Sequence, residues 1–472
     1  MDDGALRPGS NRNAADRPPL DSGARASDEA AMKQDQPGPR RVGRWRLAGF
    51  AAGDFAFNLY WQSAMLYLLF YYTDALGLGV ETAAAIYFAA SVWDGIISFA
   101  VGMLVDRHAG AGRYRLALVG GAVPLGLAFV ATYAPPPVTG VAATAFVIAG
   151  HLLFRTAYAC VNIPYLAMSA RVSADDRDRS FVAGLRMLAG TLAAVVVALG
   201  TVPLGRMLMP GDAGSRAFLG AAWLFAAIAT LVLVAVGWTF RDAVAADAPA
   251  GPVPSIAASL RLALRNRAFV TLAGAMVAMI VATTVLNKSV LYYFKYAVGD
   301  EGAGQLALAS MMAVSAAAVP VWMAVARGIG VRQLWFVAVA LCGLGLIVFA
   351  AADLTRAGAM QLFLIAMQAS TVGLHFAFWA MLPDAVDYGQ RVTGVRVEGT
   401  LFGLAALLQR VAIGIATALI GLLFGQAGYV ANVAQAPETL GAMRLTIALV
   451  PLACFALSGL VMAFSPLRPQ RS

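Results

Sequence analysis

The chain has 472 residues, of which 60% are hydrophobic and 12% charged, against the roughly 25% charged that is usual for soluble proteins. Mean hydropathy is +0.74, and apolar stretches long enough to cross a bilayer recur over nearly the whole length; this excludes an ordinary soluble domain and leaves a polytopic membrane protein. The net charge of +9 does not indicate nucleic-acid binding, because the arginines sit between the apolar segments and so serve to orient them.

In chain order, residues 1–44 are polar and rich in Pro, Asp and Arg, with no signal-peptide core, and are expected to form a disordered cytoplasmic tail. Twelve apolar spans follow, at 45–72, 82–105, 116–134, 141–170, 181–206, 216–240, 268–296, 304–326, 332–352, 357–384, 397–424 and 441–465. The polar stretch "RDAVAADAPAGPVPS" divides them, giving a first six-helix bundle at 45–240, a cytoplasmic linker at 241–267, a second bundle at 268–465 and a short tail at 466–472. Arginines cluster in alternate connections while "DALGLGVE" and "APPPVTG" hold none, which puts both termini in the cytoplasm. A faint echo of "GMLVDRHAGAGRYR" in "ARGIGVRQ" suggests duplication. The expected fold is all-α, with two six-helix halves around a central cavity, the architecture of the major facilitator superfamily. Cys160, Cys342 and Cys454 each lie in an apolar segment without partner spacing and read as packing residues; neither a metal site nor a disulfide is expected.

Charged residues inside the spans mark the candidate site, since intramembrane charges are costly and usually functional. Asp54, Asn58 and Trp61 fall at i, i+4 and i+7 on the first span and share a face. A carboxylate beside an indole suits a sugar, accepting from hydroxyls while the ring packs on C–H groups; a structural carboxylate paired to Lys or Arg is the alternative. Asp94 stands alone in "SVWDGIISF". The second and fourth spans both run inward, and Asp94 and Arg155 lie about 18 Å and 21 Å along them, hence at similar depth. An unpaired arginine there costs at least ~3 kcal/mol, so Arg155 is expected to pair with Asp94. The alternative is that it turns toward Asp54 or an anionic substrate.

Four segments carry a family resemblance: "GDFAFNLYWQSAMLYLLFYYTDALGL", "NIPYLAM", "YYFKYAVGD" and "DAVDYGQRVTGVRVEG". In order and over nearly the whole membrane region, the chain resembles the glycoside–pentoside–hexuronide:cation symporters. The resemblance implies secondary active transport of a sugar or glycoside with Na⁺, Li⁺ or H⁺ by alternating access. It makes Asp54 a sugar-contacting residue and Asp94 part of a cation site, and it matches Arg186 to an arginine that reaches the sugar hydroxyls. Arg410 matches a lysine connecting the two sites. The departures are as informative. Ser98 replaces the second carboxylate of a "WDAIND" pair, and Ala159 falls where a melibiose-transporting member supplies a threonine hydroxyl. Asn162, Leu166 and His375 replace an aspartate and two tryptophans, leaving Trp61 and Trp379 as candidate stacking rings. Together with Arg155, these changes favour H⁺ over Na⁺ as the coupling ion, or no coupling at all.

His375, in the second half, is either a proton relay or substrate contact or a hydrogen-bonded core histidine. Arg186 has a second reading as a snorkelling arginine. Lys288, in the seventh span, balances a carboxylate or binds an acidic substrate. Arg155, Arg186, Lys288 and Arg410 together tilt the substrate toward an acidic sugar. Asp106, Arg107, Arg113 and Arg115, with Asp384, Asp387, Arg396 and Glu398, resemble a cytoplasmic gate of ion pairs. The expected protein is thus an inner-membrane carrier, monomeric, with the bilayer and a small-molecule substrate as its partners. A lysolipid or other amphiphile carrier, or an uncoupled facilitator, is the alternative. No metal-ligand spacing or nucleophile motif suggests an enzyme.

Overall fold

A computed structural model describes residues 43–107, 113–169, 176–211, 214–239, 256–352, 354, 356–395 and 397–467. The side chains at 105–107, 113, 169, 176–177, 179–180 and 256 lie outside it. The tail at 1–42, most of the 241–267 linker, the end at 468–472 and Arg396 therefore fall outside the described residues, as do the side chains of Asp106, Arg107 and Arg113.

Every regular element among the described residues is helical. In chain order these are α1 (Arg44–Leu66), α2 (Val80–Arg107), α3 (Arg113–Thr132), α4 (Val141–Ser169), α5 (Asp176–Leu208) and α6 (Gly214–Thr239). There follow α7 (Ile256–Arg265), α8 (Arg267–Tyr293), α9 (Glu301–Ile329), α10 (Val331–Ala351), α11 (Ala357–Thr393), α12 (Glu398–Gln426) and α13 (Pro437–Ala463). Among the described residues, eleven helical stretches are long and apolar enough to cross a membrane. The first expected span corresponds to α1, which carries Arg44, Arg46, Asp54, Asn58 and Gln62 and falls short of that apolarity. Its helix breaks at Tyr67, resumes over Leu68–Phe70 and ends in a π-helical turn, Tyr71–Ala75. α8 ends likewise, in a π-helical turn at Phe294–Val298.

Within the expected linker, residues 256–265 form α7, and α8 begins at Arg267. Asn266 makes that junction: its side chain caps α8 by accepting from Phe269 N at 3.0 Å and donates to the Ala385 carbonyl of α11 at 2.8 Å.

The described residues form one compact unit. Among the helix pairs in contact, α2 packs on α12, α1 on α5 and α6, and α8 on α13. Close approach relies on small residues, as in membrane bundles generally. A Cβ on Gly205 of α5 would stand 1.8 Å from the Ala217 carbonyl oxygen of α6, and one on Gly421 of α12 would stand 2.2 Å from Ala84 Cβ of α2. The core runs through the whole bundle, and α8 is its most enclosed helix, with 78% of its most apolar window buried.

Candidate substrate and coupling site

Two carboxylates of the amino-terminal helices are each held by arginine. The first is Asp54, on α1. Arg186 of α5 grips it with both ends of its guanidinium, Nε on Oδ2 and Nη2 on Oδ1, the latter at 3.2 Å. Tyr165 of α4 donates its hydroxyl to Asp54 Oδ2 at 2.6 Å, and the Arg186 guanidinium lies 5.6 Å from the Tyr165 ring centre. Asn58, one turn on, donates to the Asp54 carbonyl at 2.8 Å. Asp54 is thus paired with an arginine, and Arg186 turns toward it. The pair is nonetheless part-exposed, 16% for Asp54 and 22% for Arg186, so its outer lone pairs and N–H groups remain open to a ligand.

The second is Asp94, on α2, fully buried at 0% exposure. Arg155 Nη1 of α4 lies 3.4 Å from its Oδ2. The expected pairing is therefore present, and Arg155 does not turn toward Asp54. Arg410 of α12 comes closer still: its Nη1 stands 2.9 Å from the same oxygen. That approach is an ion pair without hydrogen-bond alignment, because the same Nη1 has no properly directed acceptor. Ser98 Oγ donates to Oδ1 at 3.4 Å.

The remaining donors of Arg155 are also used. Nε donates to His151 Nε2 at 3.2 Å and Nη2 to the Tyr87 hydroxyl at 3.4 Å. Trp61 stacks against both guanidiniums, with Arg410 4.0 Å and Arg155 5.2 Å from its ring centre. Cation–π contact of this kind favours Trp most among the aromatic side chains. Lys288 of α8 has no carboxylate within ion-pair distance among the described residues, which corrects the expectation that it balances one. It sits 3.8 Å from the Tyr87 ring centre and donates to the Met65 carbonyl at 3.1 Å.

The other candidates are dispersed. His375 shares its Nδ1 with the Thr371 carbonyl at 3.1 Å, one turn back on α11. Trp379 packs on Phe378 and Phe402, and neither it nor His375 makes a polar contact with Asp54 or Asp94. Asn162 is half-buried on α4. Of the gate set, Arg115 opens α3, Asp384 and Asp387 lie near the end of α11, and Glu398 opens α12. By chain direction all four stand at the end of the bundle where α1 begins. His151, Tyr87 and Asp74 were not singled out in the sequence. Their only signal was an unexplained polar group in an apolar span.

A protein-family description, "MFS/sugar transport protein", matches residues 49–468. The chain belongs to that family. Relatives also support the glycoside–pentoside–hexuronide resemblance. A "Glucuronide carrier protein homolog" of Escherichia coli is 26% identical over 90% of this chain and 93% of its own length. A "Putative sulfoquinovose importer" of Salmonella typhimurium is 27% identical, covering 92% of each chain. The "Isoprimeverose transporter" of Lactiplantibacillus pentosus is 24% identical over 88% of this chain and 87% of its own. Among solved structures, a D-xylose–proton symporter superposes with a TM-score of 0.63 at 13% identity, covering 87% of this chain and 95% of that one. At that identity the likeness establishes the fold alone. This MFS transporter is accordingly a multi-pass membrane carrier of a small molecule, not an enzyme.

Proposed function

We propose that this MFS transporter moves a sugar, glycoside or sugar acid across the inner membrane by alternating access, with both termini cytoplasmic and no sodium site. The carrying observation is the double occupation of Asp94. A hard cation needs a shell of oxygens in place of water. Here one carboxylate oxygen faces two guanidiniums, the second carboxylate of the family pair is Ser98, and Ala159 brings no hydroxyl. Each guanidinium about 4 Å from an incoming Na⁺ would oppose it by about 4 kcal/mol at an effective dielectric of 20. Coupling to protons, or none, fits this arrangement better than coupling to Na⁺.

The charge balance supports the acidic end of the substrate range. Arg155 and Arg410 share a single carboxylate, Asp94, and Lys288 has none within ion-pair distance among the described residues, so these groups carry two more positive charges than negative ones. Arg410 is 23% exposed and has an undirected Nη1, which leaves it able to turn toward a substrate carboxylate or sulfonate. The names of two relatives specify a glucuronide and sulfoquinovose, both acidic sugars.

Ligand-induced thermal stabilisation of the purified protein tests the reading, because a ligand that binds only the folded state raises its melting temperature. Hexuronides, sulfonated sugars, neutral glycosides and lysolipids are compared in Na⁺ and in K⁺. The expected result is a shift with an acidic sugar that is equal in both salts. A shift that requires Na⁺ removes the central argument, and a shift with lysolipid alone moves the protein to an amphiphile carrier.

A further inference from the structure

The far end of the bundle, where α1 and α8 finish, holds a polar cluster that the site above does not use. Its centre is Asp74, whose side chain is 2% exposed. Asp74 Oδ1 accepts from Lys295 Nζ at 2.8 Å and from the Tyr296 hydroxyl. Oδ2 accepts from the Tyr429 hydroxyl at 2.9 Å and from Thr73 Oγ1 at 2.7 Å. An ionised carboxylate has about four acceptor positions, and all four are filled. Asn432, between α12 and α13, closes the ring. Its Nδ2 donates to the Asp74 carbonyl at 2.8 Å, its Oδ1 accepts from Lys295 at 2.7 Å, and its backbone N–H donates to the Tyr296 hydroxyl at 2.8 Å. It does so from a left-handed backbone, φ +61°, a conformation that asparagine tolerates better than most residues.

The sequence makes this cluster a matched pair. "YYTDALGLG" (71–79) and "YYFKYAVGD" (292–300) each begin with two tyrosines and run into a π-helical turn. Aligned on the tyrosines, Asp74 and Lys295 occupy the same position, one at the end of α1 and the other at the end of α8. Single π-helical turns within α-helices concentrate at functional sites. Here each turn carries one member of an ion pair between two equivalent helix ends, a geometry that packing alone does not call for. Behind the pair, Tyr292 bonds Thr73 Oγ1 at 2.9 Å and its ring centre lies 5.7 Å from that of Tyr429. A cavity of about 340 Å³ adjoins the cluster, bordered by Phe70, Val202, Phe218, Leu291, Arg206 and Gln305. It gives the ion pair room to separate.

We infer that Asp74, Lys295, Tyr296, Tyr429 and Asn432 form the latch that holds the extracytoplasmic end of the carrier shut in this conformation, and that its release opens that end. The inference takes its orientation and its alternating access from the proposed function. The latch is all-or-none, because Lys295, Tyr296 and Tyr429 donate to one carboxylate: as the end of α1 parts from the end of α8 and from the connection between α12 and α13, Asp74 loses these donors together. Such two-arrangement elements are what gates are made of.

Thiol accessibility tests this without any substrate. Ser289 of α8 is 1% exposed and lies about 9 Å of helix below Lys295. Cysteine is introduced as Ser289→Cys in a background with Cys160, Cys342 and Cys454 changed to Ala. A membrane-impermeant maleimide is then applied from outside intact cells. Asp74→Asn and Tyr429→Phe are each expected to raise the labelling rate at least tenfold, the population change given by about 1.4 kcal/mol. Glu301→Gln, which removes only a rim carboxylate 3.5 Å from Lys295, is expected to leave it nearly unchanged. Unchanged labelling in both variants, with normal membrane insertion, overturns the latch, as does labelling that rises only from the cytoplasmic face of inverted vesicles. If Asp74→Asn fails to insert, Tyr429→Phe and Asn432→Ala decide by the same criterion. Cells that label as expected but take up none of the sugars refute the substrate reading and leave the latch standing.

Discussion

Replacing Asp94 with asparagine separates an ion-paired carboxylate from a sodium ligand. In the structure Asp94 Oδ2 faces Arg155 at 3.4 Å and Arg410 at 2.9 Å. At an effective dielectric of 20, each attraction amounts to about 5 kcal/mol before desolvation is counted. The amide removes both at once and leaves their partners in unequal positions. Arg410 is 23% exposed and keeps its stacking on Trp61, so it can turn toward water. Arg155 is 1% exposed and cannot. Stranding a buried charge in this way costs roughly 3–5 kcal/mol. Arg155→Gln should cost less, because Asp94 keeps its closer partner, and the double variant Asp94→Asn/Arg155→Gln should recover much of the loss. The assay is thermal unfolding of the detergent-purified protein, read as a mutant cycle. Were Asp94→Asn to unfold with wild type, or the double variant to be no better than Asp94→Asn alone, the pairing would not govern this site. A sodium ligand predicts the reverse pattern: little change in stability and loss of a Na⁺ response.

Two further outcomes follow from the packing and the first carboxylate. Gly205→Ala places a methyl 1.8 Å from the Ala217 carbonyl oxygen; α5 and α6 must separate to admit it, and detergent-extracted yield should fall severalfold, whereas Gly49→Ala, which meets nothing within 4 Å, should be neutral. Arg186→Lys exchanges a two-point grip on Asp54 for a point charge, which is not a conservative change; uptake should drop more than about tenfold, as loss of more than 1.4 kcal/mol would give, and an unchanged rate would show that the grip is dispensable.

The fold was legible in the sequence because its cause is local. Apolar runs of bilayer length and alternating arginines depend on no distant residue, and the family segments confirmed their order. The Asp94–Arg155 pair was also legible, since two charges at equal depth in adjacent spans have little else to do. The second partner was legible only through the family resemblance, which puts Arg410 at the coupling site without pairing it to Asp94. Arg410 lies far along the chain, and only the packing of α2 against α12 brings it to 2.9 Å. The helix Ile256–Arg265 was not distinguished within the linker, because the Pro- and Gly-containing stretch before it gives no clear helix start. The Asp74 cluster sat in full view inside two quoted segments. Its meaning required the observation that the two segments end side by side.

Lys288 draws these contacts into one arrangement. Three cations of the carboxy-terminal helices reach groups of the amino-terminal helices: Arg410 on Asp94, Lys295 on Asp74, and Lys288 on the Met65 carbonyl and the Tyr87 ring. Met65 lies two residues before the break in α1 at Tyr67, where the helix's own donors no longer serve every carbonyl. Lys288 therefore stands beside the break between the helix that carries Asp54 and the π-helical turn that carries Asp74. A lone cation at this depth costs at least ~2.5 kcal/mol, while a desolvated cation–π contact returns about 2 kcal/mol, so its net effect on stability should be close to zero. Lys288→Met keeps the length of the side chain and removes the charge. It should unfold within about 1 kcal/mol of wild type yet transport acidic sugar poorly, because one of the two excess positive charges is gone. A melting temperature as low as that of Asp94→Asn would make Lys288 a structural residue and undo the charge argument. Full stability with reduced transport would mean that the amine is retained for what crosses the membrane.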